Sequence, residues 1–203
     1  MSSRSLSLKP SLPYSPTSLR RGLLSKTDFY DDSAPHNPSP YPCFEVPKSI
    51  VSSAKMWERE FVLNHHSIQK EGHRAHGRVA ELIMAYLLEA RYIDSPFADL
   101  ETHEGITINV KNKICESPPT ETFDSALFGY QRDFDCHVYA FCRTSRDFKY
   151  VWPIGWCTKG YFWQNATFYP ERDIRQNPHH SHQYSYYGLP YKQLIPFRYA
   201  VQQ

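Results

Sequence analysis

Ile106, Ile108 and Val110 alternate along the chain with Thr107, Asn109, Lys111 and Lys113. A period of two predicts a half-buried strand with an apolar face and a polar face. Gly105, after the polar run of residues 101–104, predicts a hairpin turn. The strand before it would carry Asp99 and pair antiparallel with residues 106–113. A carboxylate (Asp99), an amide (Asn109) and an amine (Lys111) are thereby brought toward one place.

Upstream the period changes to that of a helix. Pro47 suits a helix start, and Ile50, Ala54, Trp57 and Phe61 recur at helical spacing to about Lys70. Glu71 and Gly72 interrupt the pattern, and a second helix is predicted from about His73 to Arg91. Val79, Ala80, Leu82, Ile83, Met84, Ala85, Leu87 and Leu88 cover most of its circumference, which is the pattern of a buried helix. At ~100° per residue, Glu89 shares a polar edge with Arg78, while Glu81 projects among Gly77, Met84, Ala85 and Leu88. A buried carboxylate is costly unless it meets a cation, a metal or hydrogen bonds. A salt bridge, or exposure at a helix edge, would account for Glu81 equally well.

Downstream, Pro118 and Pro119 break residues 116–123 into a loop. Residues 134–142 predict a strand with His137, Tyr139 and Phe141 opposite Val138, Ala140 and Cys142. Residues 149–155 are its hairpin partner, and Pro153 favours an edge or a strand end. Thr158 is a candidate N-cap for a short aromatic helix from Tyr161 to about Thr167. A polar loop with His179, His180 and His182 follows, then an extended piece near residues 194–200.

Composition changes this picture at the N-terminus. Residues 1–45 hold ten Ser and seven Pro and few apolar clusters, so they predict a disordered tail before a domain spanning residues 46–203. The tail is Ser/Arg-rich in the manner of a transit peptide, but prolines at 10, 13 and 16 would break the required helix. A solvated basic tail is the better expectation. The net charge of +2 rests on that tail: residues 1–27 carry five basic residues and no acid, leaving 18 basic against 21 acidic beyond them. A protein that coats nucleic acid by bulk charge is thereby disfavoured, and any such contact must be local. Five cysteines without a Cys-x-x-Cys spacing argue against zinc and a disulfide framework, and for a reducing compartment. No run approaches the ~18 apolar residues of a membrane span. His73 and His76 share a helix face but lack a zinc quartet, so capping or surface roles are expected of them and of His65 and His66.

Several segments taken together resemble the restriction-endonuclease-like PD-(D/E)XK nuclease superfamily, in particular its small phage and virus members. They are residues 77–81 (Gly-Arg-Val-Ala-Glu), 98–100 (Ala-Asp-Leu), 108–111 (Ile-Asn-Val-Lys), 134–141 and 154–156, leading into Phe162-Trp-Gln-Asn-Ala166. The resemblance spans roughly residues 47–197. It implies an α/β fold with a mixed β-sheet core flanked by helices, in helix-strand-strand-strand-helix-strand order. It implies hydrolysis of DNA phosphodiester bonds with Mg²⁺ or Mn²⁺, metal ligation by Asp99, Asn109 and Glu81, and a Lys111 that orients the attacking water. A cytoplasmic setting in a virus-infected host is likewise an implication of the resemblance.

Asn109 stands where the family has Asp or Glu. Mg²⁺ is a hard cation bound by carboxylates, phosphate and water, and an amide oxygen brings neither charge nor basicity. Three accounts fit: a natural variant rescued by Glu81, a catalytically dead relative, or an introduced inactivating change. Glu101 or Glu104 could also migrate into the role, Glu101 being better placed by alternation. Lys113, Arg132, Arg143, Arg146 and Lys149 are candidate phosphate contacts or ordinary surface charge. Asp135 is expected to be structural. The aromatics from Tyr150 to Tyr191 are expected to pack rather than stack on bases. The first functional expectation is a metal-dependent DNA endonuclease; the alternative is a DNA-binding module on the same fold that no longer cleaves. A homodimer would suit double-strand cuts.

Overall fold

The computed structural model describes residues 39–60, 74–93, 95–170 and 185–197. The expectations for residues 1–38, the helix beyond residue 60, His65, His66, His73 and the loop with His179, His180 and His182 lie outside these residues. The described chain is α/β, with a mixed sheet, a second smaller sheet and three α-helices. No helix among the described residues is long and apolar enough to cross a membrane.

In chain order the elements are β1 (Phe44–Glu45), α1 (Lys48–Glu60), α2 (Arg74–Leu87), β2 (Arg91–Tyr92), β3 (Leu100–Glu101), β4 (Thr107–Cys115) and β5 (Asp124–Leu127). A 3-10 turn, Gly129–Asp133, leads to β6 (Val138–Ser145), β7 (Tyr150–Thr158), α3 (Lys159–Asn165), β8 (Thr167–Tyr169) and β9 (Tyr186–Pro190). The main sheet has the order β1-β7-β6-β4-β3-β2. Its pairings are antiparallel except for β4 with β6, which run parallel from Ile108 opposite Val138 to Cys115 opposite Ser145. The second sheet has the order β5-β9-β8.

The predicted hairpin is present. β3 and β4 pair antiparallel, Gly105 turns the chain with φ +81°, and its N–H donates to the Thr102 carbonyl. The polar face predicted for β4 does not face water throughout. Ile108 and Val110 pack with α1 and α2 in one core, while Asn109 is 4 % exposed on the opposite face, which Cys115, Tyr139, Phe141 and Phe162 fill from a second core. Both faces of the sheet are therefore covered, the second by α3 and the small sheet through Phe162, Leu127 and Leu189. Ile106, expected on the apolar face, precedes β4 and is exposed.

Other expectations need correcting. β1 pairs with β7 and Phe44 is buried, so packing starts before the boundary at residue 46. The second helix ends at Leu87 rather than Arg91, because Glu89 takes φ 51° and turns the chain into β2. Glu89 therefore shares no helix edge with Arg78, which is itself buried. Pro153 lies inside β7, where β1 no longer pairs and the β6 register shifts, so its missing N–H breaks no regular ladder. Thr158 does cap α3, accepting from the Tyr161 N–H at 3.2 Å. The small sheet went unpredicted because each of its strands is short. Of the expected extended piece near residues 194–200, residues 194–197 show one bridge, Ile195 with Trp156, and residues 198–200 lie outside the described residues.

That bridge depends on Gly155. A Cβ there would lie 2.8 Å from the Ile195 carbonyl oxygen and 2.9 Å from Leu194 Cβ, below any ordinary contact. Gly155→Ala is expected to cost about 1–3 kcal/mol by forcing the 194–195 segment off β7. Urea unfolding measures it, and an unchanged midpoint would show that the segment can move freely.

Candidate active site

The site lies where the sheet splits. β3 and β4 pair at Leu100–Ile108 and Glu101–Thr107, and the Asp99 N–H still donates to the Ile108 carbonyl. Beyond that point side chains take over from the main chain. The Val110 N–H donates to Asp99 Oδ2 at 2.7 Å, and Asn109 Nδ2 donates to the Phe97 carbonyl at 2.7 Å. A carbonyl oxygen only accepts, so the Asn109 atom facing it is the amide nitrogen. Asn109 thus ties down the segment that carries Asp99. An Asp there could not make this bond and would set a carboxylate against a carbonyl oxygen.

Three charged groups converge on the split: Asp99 before β3, Lys111 from β4 and Glu81 from α2. Each is partly buried, and each acts electrostatically on the others. Burial pushes the Glu81 carboxyl up to about 7, with the neighbouring Asp99 charge adding to the rise, while Arg78 and Lys111 oppose it. Burial likewise raises Asp99, against the pull of Lys111, the Val110 N–H and Arg78. Burial lowers Lys111, and Asp99, Cys136 and Glu81 act in the opposite direction. The Lys111 amine lies 5.4 Å from the Phe134 ring centroid.

Arg78 was not singled out from the sequence. It is 1 % exposed, donates from Nη1 to Glu81 Oε2 at 2.9 Å, and lies 3.9 Å from the Tyr92 ring centroid and 5.2 Å from that of Trp57. The three-residue spacing from Glu81 was the available signal. Glu81 is therefore both a salt-bridge partner and a neighbour of Asp99, with 17 % of its side chain exposed.

No family model matches the chain, and no curated protein matches it.

The donor set can be tested against a divalent cation. Asp99 uses Oδ2 and Glu81 uses Oε2 in the bonds described, which leaves Oδ1 and Oε1 as their remaining acceptors. Two crowded carboxylates driven toward protonation are what a hard cation would relieve. Asn109 has only Oδ1 left to offer. Among the described residues there is no trio of His, Cys, Asp or Glu placed to hold a metal, so two carboxylates and one amide oxygen are the set at hand. By donor chemistry alone, such a set suits a cation that keeps several waters.

The reserve carboxylates are engaged elsewhere. Glu101 pairs with Arg91, and Glu104 is exposed beside His103 at 2.8 Å. Among the candidate phosphate contacts, Arg143 differs from the surface charge expected. It is buried, donates to the Tyr191 hydroxyl, and lies 5.1 Å from the Phe123 ring centroid. Lys113 and Arg132 are exposed; Arg146 pairs with Glu116 and Lys149 with Asp147 at 3.3 Å. Asp135 is exposed. His76, expected at the surface or in a cap, is buried and stacks on Phe148 with centroids 3.6 Å apart.

Glu81 makes stability depend on pH. Its folded-state value is raised from the ordinary 4.5 to about 7, so the native state holds the proton more tightly than the unfolded chain. The contribution is full below about pH 4.5 and lost as pH rises through about 7. Asp99, also raised, acts with the same sign. Glu81→Gln should therefore gain on the parent protein between pH 5 and pH 8, and Mg²⁺ at pH 8 should narrow the gap. Thermal melts across that range check it; parallel pH profiles would mean that Glu81 does not titrate there.

Proposed function

We propose that the protein is a metal-dependent endonuclease that hydrolyses DNA, on a restriction-endonuclease-like fold. The observation that carries this reading is the meeting of Glu81, Asp99 and Lys111, from three elements, at a split in the sheet. A structural ion pair would need only Arg78 and Glu81. The added carboxylate and amine go beyond what that pair needs, and both are partly buried beside it. The mixed sheet is compatible with this reading, with Glu81 on α2, Lys111 on β4 and Asp99 in the bend that leads into β3.

Asp99 and Glu81, with Asn109 Oδ1, would hold Mg²⁺ or Mn²⁺, which when bound supplies Lewis acidity and a more acidic water. Lys111, its amine made easier to deprotonate by burial, orients the attacking water and offsets phosphate charge. Arg78 holds Glu81 in place through the bond to Oε2. Asn109 acts first through its bond to Phe97, positioning Asp99. Of the accounts of this residue, a working variant is favoured, because the amide makes a bond that a carboxylate could not. A non-cleaving DNA-binding module is the alternative.

The test is cleavage of supercoiled, linear and single-stranded DNA with Mg²⁺ or Mn²⁺, beside Lys111→Ala and Asn109→Asp. Cleavage is expected in the parent, reduced about 10²-fold or more in Lys111→Ala, and not improved in Asn109→Asp. Cleavage that survives Lys111→Ala would remove the reading. Cleavage only in Asn109→Asp would make the natural residue an inactivating one.

A further inference from the structure

We infer that the surface beside the split is a stacking platform for unpaired DNA bases, so that the substrate is single-stranded DNA or a frayed duplex end. The inference builds on the proposed nuclease site for the position of the cut, but base binding stands independently of hydrolysis. Phe97, 42 % exposed, and Tyr130, 50 % exposed, both touch the Phe134 ring, at centroid distances of 5.6 and 5.8 Å. Tyr130 stacks in turn on Phe128, 6.0 Å away and 8° from parallel. Phe134 is the ring that lies against the Lys111 amine, and Phe97 is the residue whose carbonyl Asn109 holds. The aromatic run therefore starts at the candidate catalytic residues.

Phe134 is partly buried and packs against the second core, but Phe97 and Tyr130 on either side of it stand exposed. The second core is already closed by Tyr139, Phe141 and Phe162, whose rings contact one another below this surface. Two exposed rings joined through a partly buried third, beside a polar site, offer a surface for flat ligands. Its charge selects what binds. Arg132, exposed on the 3-10 turn with its guanidinium 5.9 Å from the Trp163 ring centroid, can meet a phosphate or a base face. Asp133 and Asp135, exposed on the same stretch, repel a continuous phosphate track. A ligand that offers flat faces toward the rings and keeps most phosphates away is a strand with its bases turned inward. A base pair hides those faces, so a closed duplex gains little here. Stacking of this kind tolerates any sequence, because every base has a π-face.

The experiment uses the full chain and a roughly 12-nucleotide single strand carrying 2-aminopurine, whose fluorescence falls on stacking. A blunt duplex and an RNA strand of the same sequence run in parallel, with Ca²⁺ in place of Mg²⁺ to hold off cleavage. Quenching is expected with the DNA strand, and about tenfold weaker binding in Phe97→Ala and Tyr130→Ala. Tyr130→Leu, which keeps apolar bulk without the ring, should behave as Tyr130→Ala does. Equal binding of blunt duplex, no quenching, or unchanged affinity in the variants would overturn the platform. So would a change of oligomeric state in the variants in place of lost binding. Tighter binding of RNA would overturn the assignment to DNA. Quenching without any cleavage in Mg²⁺ would leave the platform standing and remove the hydrolytic reading instead.

Discussion

Asp99→Asn is expected to lower kcat/KM for DNA cleavage by at least about 10³-fold while leaving the fold at least as stable as before. The two halves of this expectation have one cause. The Asn side chain keeps an oxygen that can accept the Val110 N–H, so the bond that closes the split survives. What disappears is the negative charge, and with it, on the proposed reading, the strongest oxygen ligand for a divalent cation. Removing that charge also relieves Glu81, which Asp99 drives toward protonation. The melting temperature at pH 8 should therefore hold or rise while activity falls. Cleavage rates and melts on one preparation decide it. Retained cleavage would exclude Asp99 from catalysis, and a collapse in stability would make its role structural.

The second large effect is on stability, at Arg78. Its guanidinium is almost wholly buried between Trp57 and Tyr92, with Glu81 as its hydrogen-bonded counter-charge. Arg78→Ala removes the counter-charge, leaves a cavity between two rings and strands a partly buried carboxylate beside Asp99. Breaking a buried pair from one side costs about 3–5 kcal/mol, which for a chain of this size lowers the melting temperature by roughly 6–20 °C. Replacing both members together, as Arg78→Met with Glu81→Gln, fills the space and leaves no charge alone. Most of the loss should return. Chemical denaturation of the single and double variants gives the answer. A loss below about 1 kcal/mol in Arg78→Ala would show the pair to be no stronger than one at the surface.

The pattern of residues carried further at the site than at its surroundings. Asn109 and Lys111 lie on β4, Gly105 in the tight turn and Asp99 just before β3, and local alternation reports such geometry directly. Glu81 was legible as an acid on an apolar helix, but its partner was not. Arg78 looks like a surface residue until Trp57 and Tyr92, from elements before and after α2, close over it. The burial of Arg143 was hidden for the same reason: Phe123 and Tyr191, distant in sequence, lie against it. The small sheet escaped because β5, β8 and β9 are short and are drawn from distant parts of the chain. The parallel pairing of β4 with β6 also leaves no local trace, since the link between them is a loop, a strand and a 3-10 turn rather than a helix.

That parallel pairing bears on how the molecule folds. The candidate site is drawn from one continuous stretch, Arg78 to Lys111, whose helix and hairpin close over short chain distances. β4 meets β6 only after a long loop has been closed, and β5 must find β9 from farther still. Short loops close before long ones, so the slow step is expected to be the docking of β6 and everything beyond it. Until then Glu81, Asp99 and Lys111 lie in water, where high dielectric makes their mutual repulsion and attraction small. The electrostatic cost of the site thus arrives late, on the native side of the barrier. Neutralising substitutions such as Asp99→Asn should accordingly slow unfolding while leaving the rate of folding almost untouched.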